Sequence, residues 1–226
     1  MKKHSYPGRF ITFEGGEGVG KSTNIAFVAD WLKDQGITVV VTREPGGTEI
    51  AEKIRNDLLK AHHNEDMTAM TELLLVFAAR AQHIEKVIVP ALQRGEWVIC
   101  DRFSDSTMAY QGYGRELPRA DIELLTGLVQ KDLQPDCTLL LDAPVETGMA
   151  RASRRAEQGI EQTDRFELEK LSFFEKIEAK EQLTKRGGTV KFEVFAESWF
   201  DNKKVEWRDS QIENVRGILD KHIYPF

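Results

Sequence analysis

Gly15-Gly16-Glu17-Gly18-Val19-Gly20-Lys21-Ser22 fits the pattern G-x-x-x-x-G-K-[ST]. It stands between an apolar run at residues 9–13 and a helical stretch at 22–35, which Gly36 stops. That setting is what phosphate binding requires. Glycines let successive backbone N–H groups converge on one set of oxygens, and a helix start adds partial positive charge. Lys21 can reach the β- and γ-phosphates of a nucleoside triphosphate, and Ser22 can ligate Mg²⁺. Gly15, Gly16, Glu17, Gly18, Val19, Gly20, Lys21 and Ser22 are therefore the predicted triphosphate site. The alternative is a chance match in a glycine-rich turn.

Outward from the loop, strand and helix signals alternate, which favours a parallel sheet wrapped by helices. Residues 37–42 (ITVVVT) form a β-branched run without alternation, the mark of a strand buried on both faces. Residues 48–60 and 67–94 have helical spacing, the second long enough to bend or break. Residues 97–100 and 138–141 are further buried strands, ending at Asp101 and Asp142. Residues 118–131 are helical with Pro118 in the first turn. A helix starting at Ala143-Pro144-Val145 runs into the charged stretch 151–165, a lid or hinge candidate. Residues 166–185 continue as helix, 189–195 are a fifth strand, and 210–222 a closing helix. The expected organisation is one domain over 1–226.

The composition narrows the function. Of 226 residues, 41% are hydrophobic and 30% charged, ordinary for a globular protein. Thirty-one Lys and Arg against 37 Asp and Glu give a net charge of −6. That argues against broad nucleic-acid or anionic-membrane binding. Cys100 and Cys137 each adjoin an apolar run and are expected to be free thiols, without zinc spacing. The first nine residues lack the apolar core of a secretory leader, and nowhere do about 18 apolar residues run together. The expectation is a cytoplasmic protein.

In P-loop kinases with strand order 2-3-1-4-5, strands 3 and 4 both flank strand 1, so either terminal aspartate can approach the metal. Asp142 precedes Ala143-Pro144 and is more simply a helix cap. Asp101 is followed by Arg102, whose fork of N–H donors suits a phosphate, so Asp101 is the metal candidate beside Ser22.

The chain resembles the bacterial thymidylate kinases. Phe13-Glu14-Gly15 leads into the loop, followed by Thr42-Arg43-Glu44-Pro45-Gly46-Gly47-Thr48 and Leu73-Leu74-Leu75-Val76-Phe77-Ala78-Ala79-Arg80. Asp101-Arg102-Phe103, Ala109-Tyr110-Gln111-Gly112 and Asp164-Arg165-Phe166-Glu167 complete a set in family order over roughly residues 9–185. The resemblance implies a P-loop NTPase fold, α/β, with a five-stranded parallel sheet of order 2-3-1-4-5, flanking helices and a mobile lid at about 151–165. It implies transfer of the γ-phosphoryl group of ATP to thymidine 5′-monophosphate (dTMP), with Mg²⁺ as cofactor, in a homodimer.

By the same resemblance, Phe77 stacks on thymine and Arg80 bonds the base edge, although Phe77 by itself reads equally as a core aromatic. Arg43 and Arg102 hold the 5′-phosphate, Ser106 and Thr107 border the base, and Tyr110 and Gln111 sit at the deoxyribose. Glu17 matches an acidic position near the 3′-hydroxyl and the metal. Some family members carry an arginine in the phosphate loop; here that position is Gly18. The duty then falls to lid arginines, with Arg154 and Arg155 the candidates alongside Lys21, Arg102 and Glu17. The stretch 155–163 is longer than the usual lid loop, and residues 187–226 depart from the family pattern.

Two alternatives remain at this stage. A kinase for another pyrimidine deoxynucleotide, such as a 5-modified deoxyuridylate, would use the same site. A P-loop GTPase-type switch would need Asp-x-x-Gly and Asn-Lys-x-Asp elements, and neither is present.

Overall fold

The computed structural model describes residues 4–61, 63–157 and 190–191. Its sheet is parallel, in the order β2-β3-β1-β4-β5. The strands are β1 Phe10–Glu14, β2 Val39–Arg43, β3 Trp97–Asp101, β4 Cys137–Leu140 and a two-residue β5 at Val190–Lys191. Helices α1 Lys21–Asp34, α2 Glu49–Lys53, α3 Ala69–His83, α4 Val89–Gln93, α5 Ser104–Thr107, α6 Arg119–Gln130 and α7 Val145–Glu157 connect them. Phe13 lies opposite both Asp101 and Leu139, so β1 sits between β3 and β4. The order reverses at β1, and the crevice outside the strand ends at such a point is where α/β sheets bind ligands.

Alternation along β3 divides the core. Val98 and Cys100 pack with Phe10, Ile88 and Leu92, whereas Ile99 packs with Phe13, Ile25, Leu32 and Leu139. Helix α1 supplies Ile25, Ala29 and Leu32 at helical spacing to the second cluster. Thr48 and Thr68 cap α2 and α3, their side chains accepting the N–H of Ala51 and Thr71.

Several elements differ from the sequence expectation. β2 is the sheet edge and leaves Val41 50% exposed, so its β-branched run does not mark burial on both faces. The helical stretch at 67–94 does what its length suggested, running as α3, a π-helical turn Ile84–Ile88, and α4. Pro90 lies in the first turn of α4, and a proline there removes a backbone donor. A second π-helical segment, Ile54–Lys60, extends α2, and a third, Met108–Gly114, follows α5. That last region carried no helix expectation. The helices expected at 166–185 and 210–222, and the segment 158–165 of the expected lid, lie outside the described residues. Cys100 and Cys137 are free. Among the described residues, no helix is long and apolar enough to cross a membrane.

Candidate active site

The phosphate loop leaves β1 and enters α1 through three positive-φ glycines, Gly15 at 133°, Gly18 at 69° and Gly20 at 94°. Lys21 is 7% exposed, and its ammonium donates to the carbonyls of Gly15 at 3.1 Å and Gly16 at 2.6 Å. The side chain is thus buried. Burial, with Arg102 second, lowers its pKa to about 8, against the pull of Glu17 and Asp101. Ser22 follows in the exposed first turn of α1.

Asp101 ends β3 beside the loop, and its Oδ1 is buried with no hydrogen-bond donor. Asp142, after β4, is exposed. A buried anionic oxygen lacking a donor suits a cation, so the pair Ser22 and Asp101 fits Mg²⁺. Among the described residues, no group of three or more His, Cys, Asp or Glu could hold a metal by itself. The remaining coordination sites are then left to phosphate oxygens and water, the usual arrangement for Mg²⁺.

Arg102 adopts a left-handed backbone with φ of 68°, fixed by its N–H to the Phe13 carbonyl at 2.8 Å. Its guanidinium donates to Glu17 at 2.7 Å and Ser106 Oγ at 3.1 Å, and lies 5.1 Å from the centre of the Tyr110 ring. Burial opposes the charge on both partners, but the ion pair prevails. Glu17 is held at a pKa of about 2, mainly by Arg102 and then Lys21, and the Arg102 pKa is raised by Tyr110 and then Glu17.

Behind this pair lies a buried carboxyl. Glu14 accepts the N–H of Phe103 at 2.8 Å and the Ser106 hydroxyl. Burial, reinforced by Asp105, raises its pKa to about 7 against those hydrogen bonds and Arg102.

Beside the loop opens a cleft of about 600 Å³ including its mouth, within the range of small-molecule sites. Glu17, Arg80, Arg102, Ser106, Thr107, Tyr110 and Gln111 all line it, so seven sequence candidates meet there. Arg80 is almost wholly buried. It donates to Glu44 at 2.6 Å, Thr107 Oγ1 at 2.8 Å and the Phe103 carbonyl at 3.1 Å, while Nη1 has no partner. Burial works against the Glu44 charge, but Arg80 and then His83 outweigh it, and the Glu44 pKa falls.

Two candidates stand elsewhere. Arg43 points outward and pairs with Glu52 at 2.9 Å, while Arg55 lines the cleft. Phe77, 2% exposed, packs with Leu73 and Ile122, and Val76 is on the cleft wall. Adjacent helical residues point about 100° apart, and here Val76 borders the cleft while the Phe77 ring lies 5.0 Å from the guanidinium of cleft-lining Arg80. Arg55 was detectable in the sequence. It follows the buried Ala51 by four residues and precedes the buried Leu59 by four, a charge set in an apolar stripe.

Helix α7 meets the loop from the other side. Arg151 Nη1 donates to the Gly18 carbonyl at 3.4 Å. Arg154 is exposed one turn on, and Arg155 is the next residue of the helix.

The sheet order, the glycine loop at its switch point and an adjoining cationic cleft define a nucleotide-binding protein of the P-loop class. Residues 13–197 match the thymidylate kinase family. A thymidylate kinase of Chromohalobacter salexigens is 60% identical over 171 residues, 76% of this chain and 79% of the relative. One from Alcanivorax borkumensis is 59% identical over 170 residues, 75% and 79%. The crystal structure of thymidylate kinase from Ehrlichia chaffeensis superposes with a TM-score of 0.57 at 40% identity, covering 68% of this chain and 89% of that one. The chain belongs to the thymidylate kinase family.

Proposed function

We propose that this chain transfers the γ-phosphoryl group of ATP to dTMP, giving ADP and thymidine 5′-diphosphate. One observation carries the reading beyond family membership. Glu17 belongs to the phosphate loop and Arg102 to the cleft, and their 2.7 Å contact joins the two binding regions. Two phosphorylated substrates therefore converge on one guanidinium. The acceptor phosphate oxygen is already a nucleophile, so the chemistry needs alignment and charge neutralisation and no general base.

The loop amides and Lys21 hold the β- and γ-phosphates. Ser22 and Asp101 hold Mg²⁺, which when bound neutralises charge on the triphosphate. Arg102 and Arg55 grip the acceptor phosphate in place of the outward-facing Arg43. Arg80 and Thr107 meet the base, Val76 covers it, and Tyr110 lies against the sugar. The domain is single, the stretch at about 151–165 acts as a lid, and closure excludes water as a competing acceptor. Exposed Leu124 and Leu128 on α6, with Met70 and Leu74 on the neighbouring α3, form an apolar surface that suits a homodimer in the cytoplasm.

A coupled assay with ATP and Mg²⁺ across deoxynucleoside monophosphates tests the activity. The highest kcat/KM belongs to dTMP. Absence of thymidine diphosphate would overturn the reading.

A further inference from the structure

Glu72, in the first turn of α3, is a wholly buried carboxylate on the far side of Gln111 from the chemistry described above. Arg115 grips it through Nε and Nη2 at 3.1–3.3 Å, and the Gln111 amide nitrogen donates to its Oε1 at 2.8 Å. Resting on the acceptor reading above, we infer that Glu72, clamped by Arg115, fixes the orientation of the Gln111 amide and so sets which pyrimidine edge the cleft accepts.

A carboxylate gripping a guanidinium has only acceptors to offer. The amide nitrogen of Gln111 must therefore face Glu72, because the reverse orientation would set two oxygens against each other in a buried site. Gln111 lines the cleft, and with its nitrogen held on Glu72 the opposite end of the amide is its oxygen, an acceptor. Arg80 lines the same cleft with a buried, unpartnered Nη1, a donor. One acceptor and one donor suit a ring N–H beside a carbonyl, the edge shared by thymine and uracil. Cytosine presents a ring acceptor beside an amino donor, and meets like with like at both places. Discrimination of this kind comes from leaving buried polar groups unpaired with the wrong ligand.

Glu72 is thus a positioning residue, and its signature is a change of base preference. In E72Q, Arg115 holds the new amide by its oxygen, and the new NH₂ turns towards Gln111. The Gln111 oxygen turns to meet it, and the cleft is left with an amide donor. The ratio of kcat/KM for dTMP over dCMP is expected to fall about 100-fold. The swap E72Q/Q111E puts the donor at 72 and oxygens alone at 111, so the cleft again meets an acceptor, and the ratio returns to within tenfold of wild type.

Wild type, E72Q and the swap are assayed on both acceptors beside a thermal melt. A folded E72Q whose ratio moves less than tenfold overturns the inference, and a fall of tenfold or more supports it. If E72Q does not fold, the swap decides: retained thymine preference supports the inference, lost preference overturns it. Failure of both to fold makes Glu72 a structural residue only, which also overturns it. A wild type inactive on dTMP brings down the acceptor reading itself, before any variant is compared.

Discussion

Gly18 and Gly148 meet backbone to backbone. A Cβ on Gly18 would stand 2.1 Å from the Gly148 carbonyl oxygen, and one on Gly148 would stand 2.3 Å from the carbonyl oxygen of Glu17. The phosphate loop and the start of α7 therefore seat against each other with no room for a side chain on either. This gives a physical reason for the absence of an arginine at position 18. Gly148→Ala must push α7 off the loop. We expect kcat to fall about 10²-fold, the effect of an ångström-scale misplacement of catalytic groups. KM for dTMP changes less than kcat, because among the cleft residues only the backbone of Glu17 meets the new methyl. Steady-state kinetics check this, and an unchanged kcat would remove the seam from the mechanism.

Much of the framework was legible because it follows local rules. The glycine loop needs its strand and helix next to it in sequence, and Asp101 and Arg102 close a strand that a hydrophobic run reveals, whereas Tyr110 and Gln111 were placed by the resemblance alone. What escaped depends on non-local geometry. The run at 37–42 looks buried, but nothing in it says that β2 is the edge. Arg43 is paired outward by Glu52 nine residues away, a choice made by the turn through Pro45 and Gly47. The hydrogen bonds of Glu14 and Glu72 cross 89 and 39 residues of chain, and no spacing rule encodes them.

The contrast between Val76 and Phe77 separates cleft from core. Phe77→Ala leaves a cavity beside Leu73 and Ile122 and is expected to lower stability by about 3–5 kcal/mol. Its effect on the two nucleotide affinities is then similar. Val76→Ala costs about 1–2 kcal/mol of stability at most and selectively raises KM for dTMP. Melting curves and separate nucleotide titrations distinguish them. A stable Phe77→Ala that loses only dTMP affinity would return Phe77 to the base.

Glu14 gives the fold a pH dependence of defined sign. Its carboxyl keeps its proton to about pH 7 in the native state, against 4.5 ordinarily. Between those values the native protein binds more protons than the unfolded chain, so stability falls as pH rises and levels off above 7. Glu14→Gln does not titrate. Relative to it, wild type should lose stability on the order of 3 kcal/mol between pH 4.5 and 7. Urea unfolding at pH 5, 6, 7 and 8 measures the gap between the two proteins. A gap that stays constant over that range contradicts the assignment.

The last prediction concerns α7. Gly18 cannot carry a side chain, yet charge on the transferring phosphoryl group must still be met by a cation. Arg151 already touches the loop through the Gly18 carbonyl. Positions three and four residues on lie on the same side of a helix, and here they are Arg154 and Arg155. Both therefore continue the face whose first member meets the loop. A guanidinium is always protonated and bonds two oxygens at once, which a lysine cannot match. If one of the pair reaches the phosphoryl group only as the lid closes, its effect is concentrated in the transition state. The Arg154→Ala/Arg155→Ala double variant should then lose kcat by roughly 10³-fold, the low end of arginine-finger effects. KM for either nucleotide changes much less. Steady-state and single-turnover kinetics provide the measurement. A kcat within tenfold of wild type excludes catalysis by this pair, and a raised KM at constant kcat makes them binding residues instead.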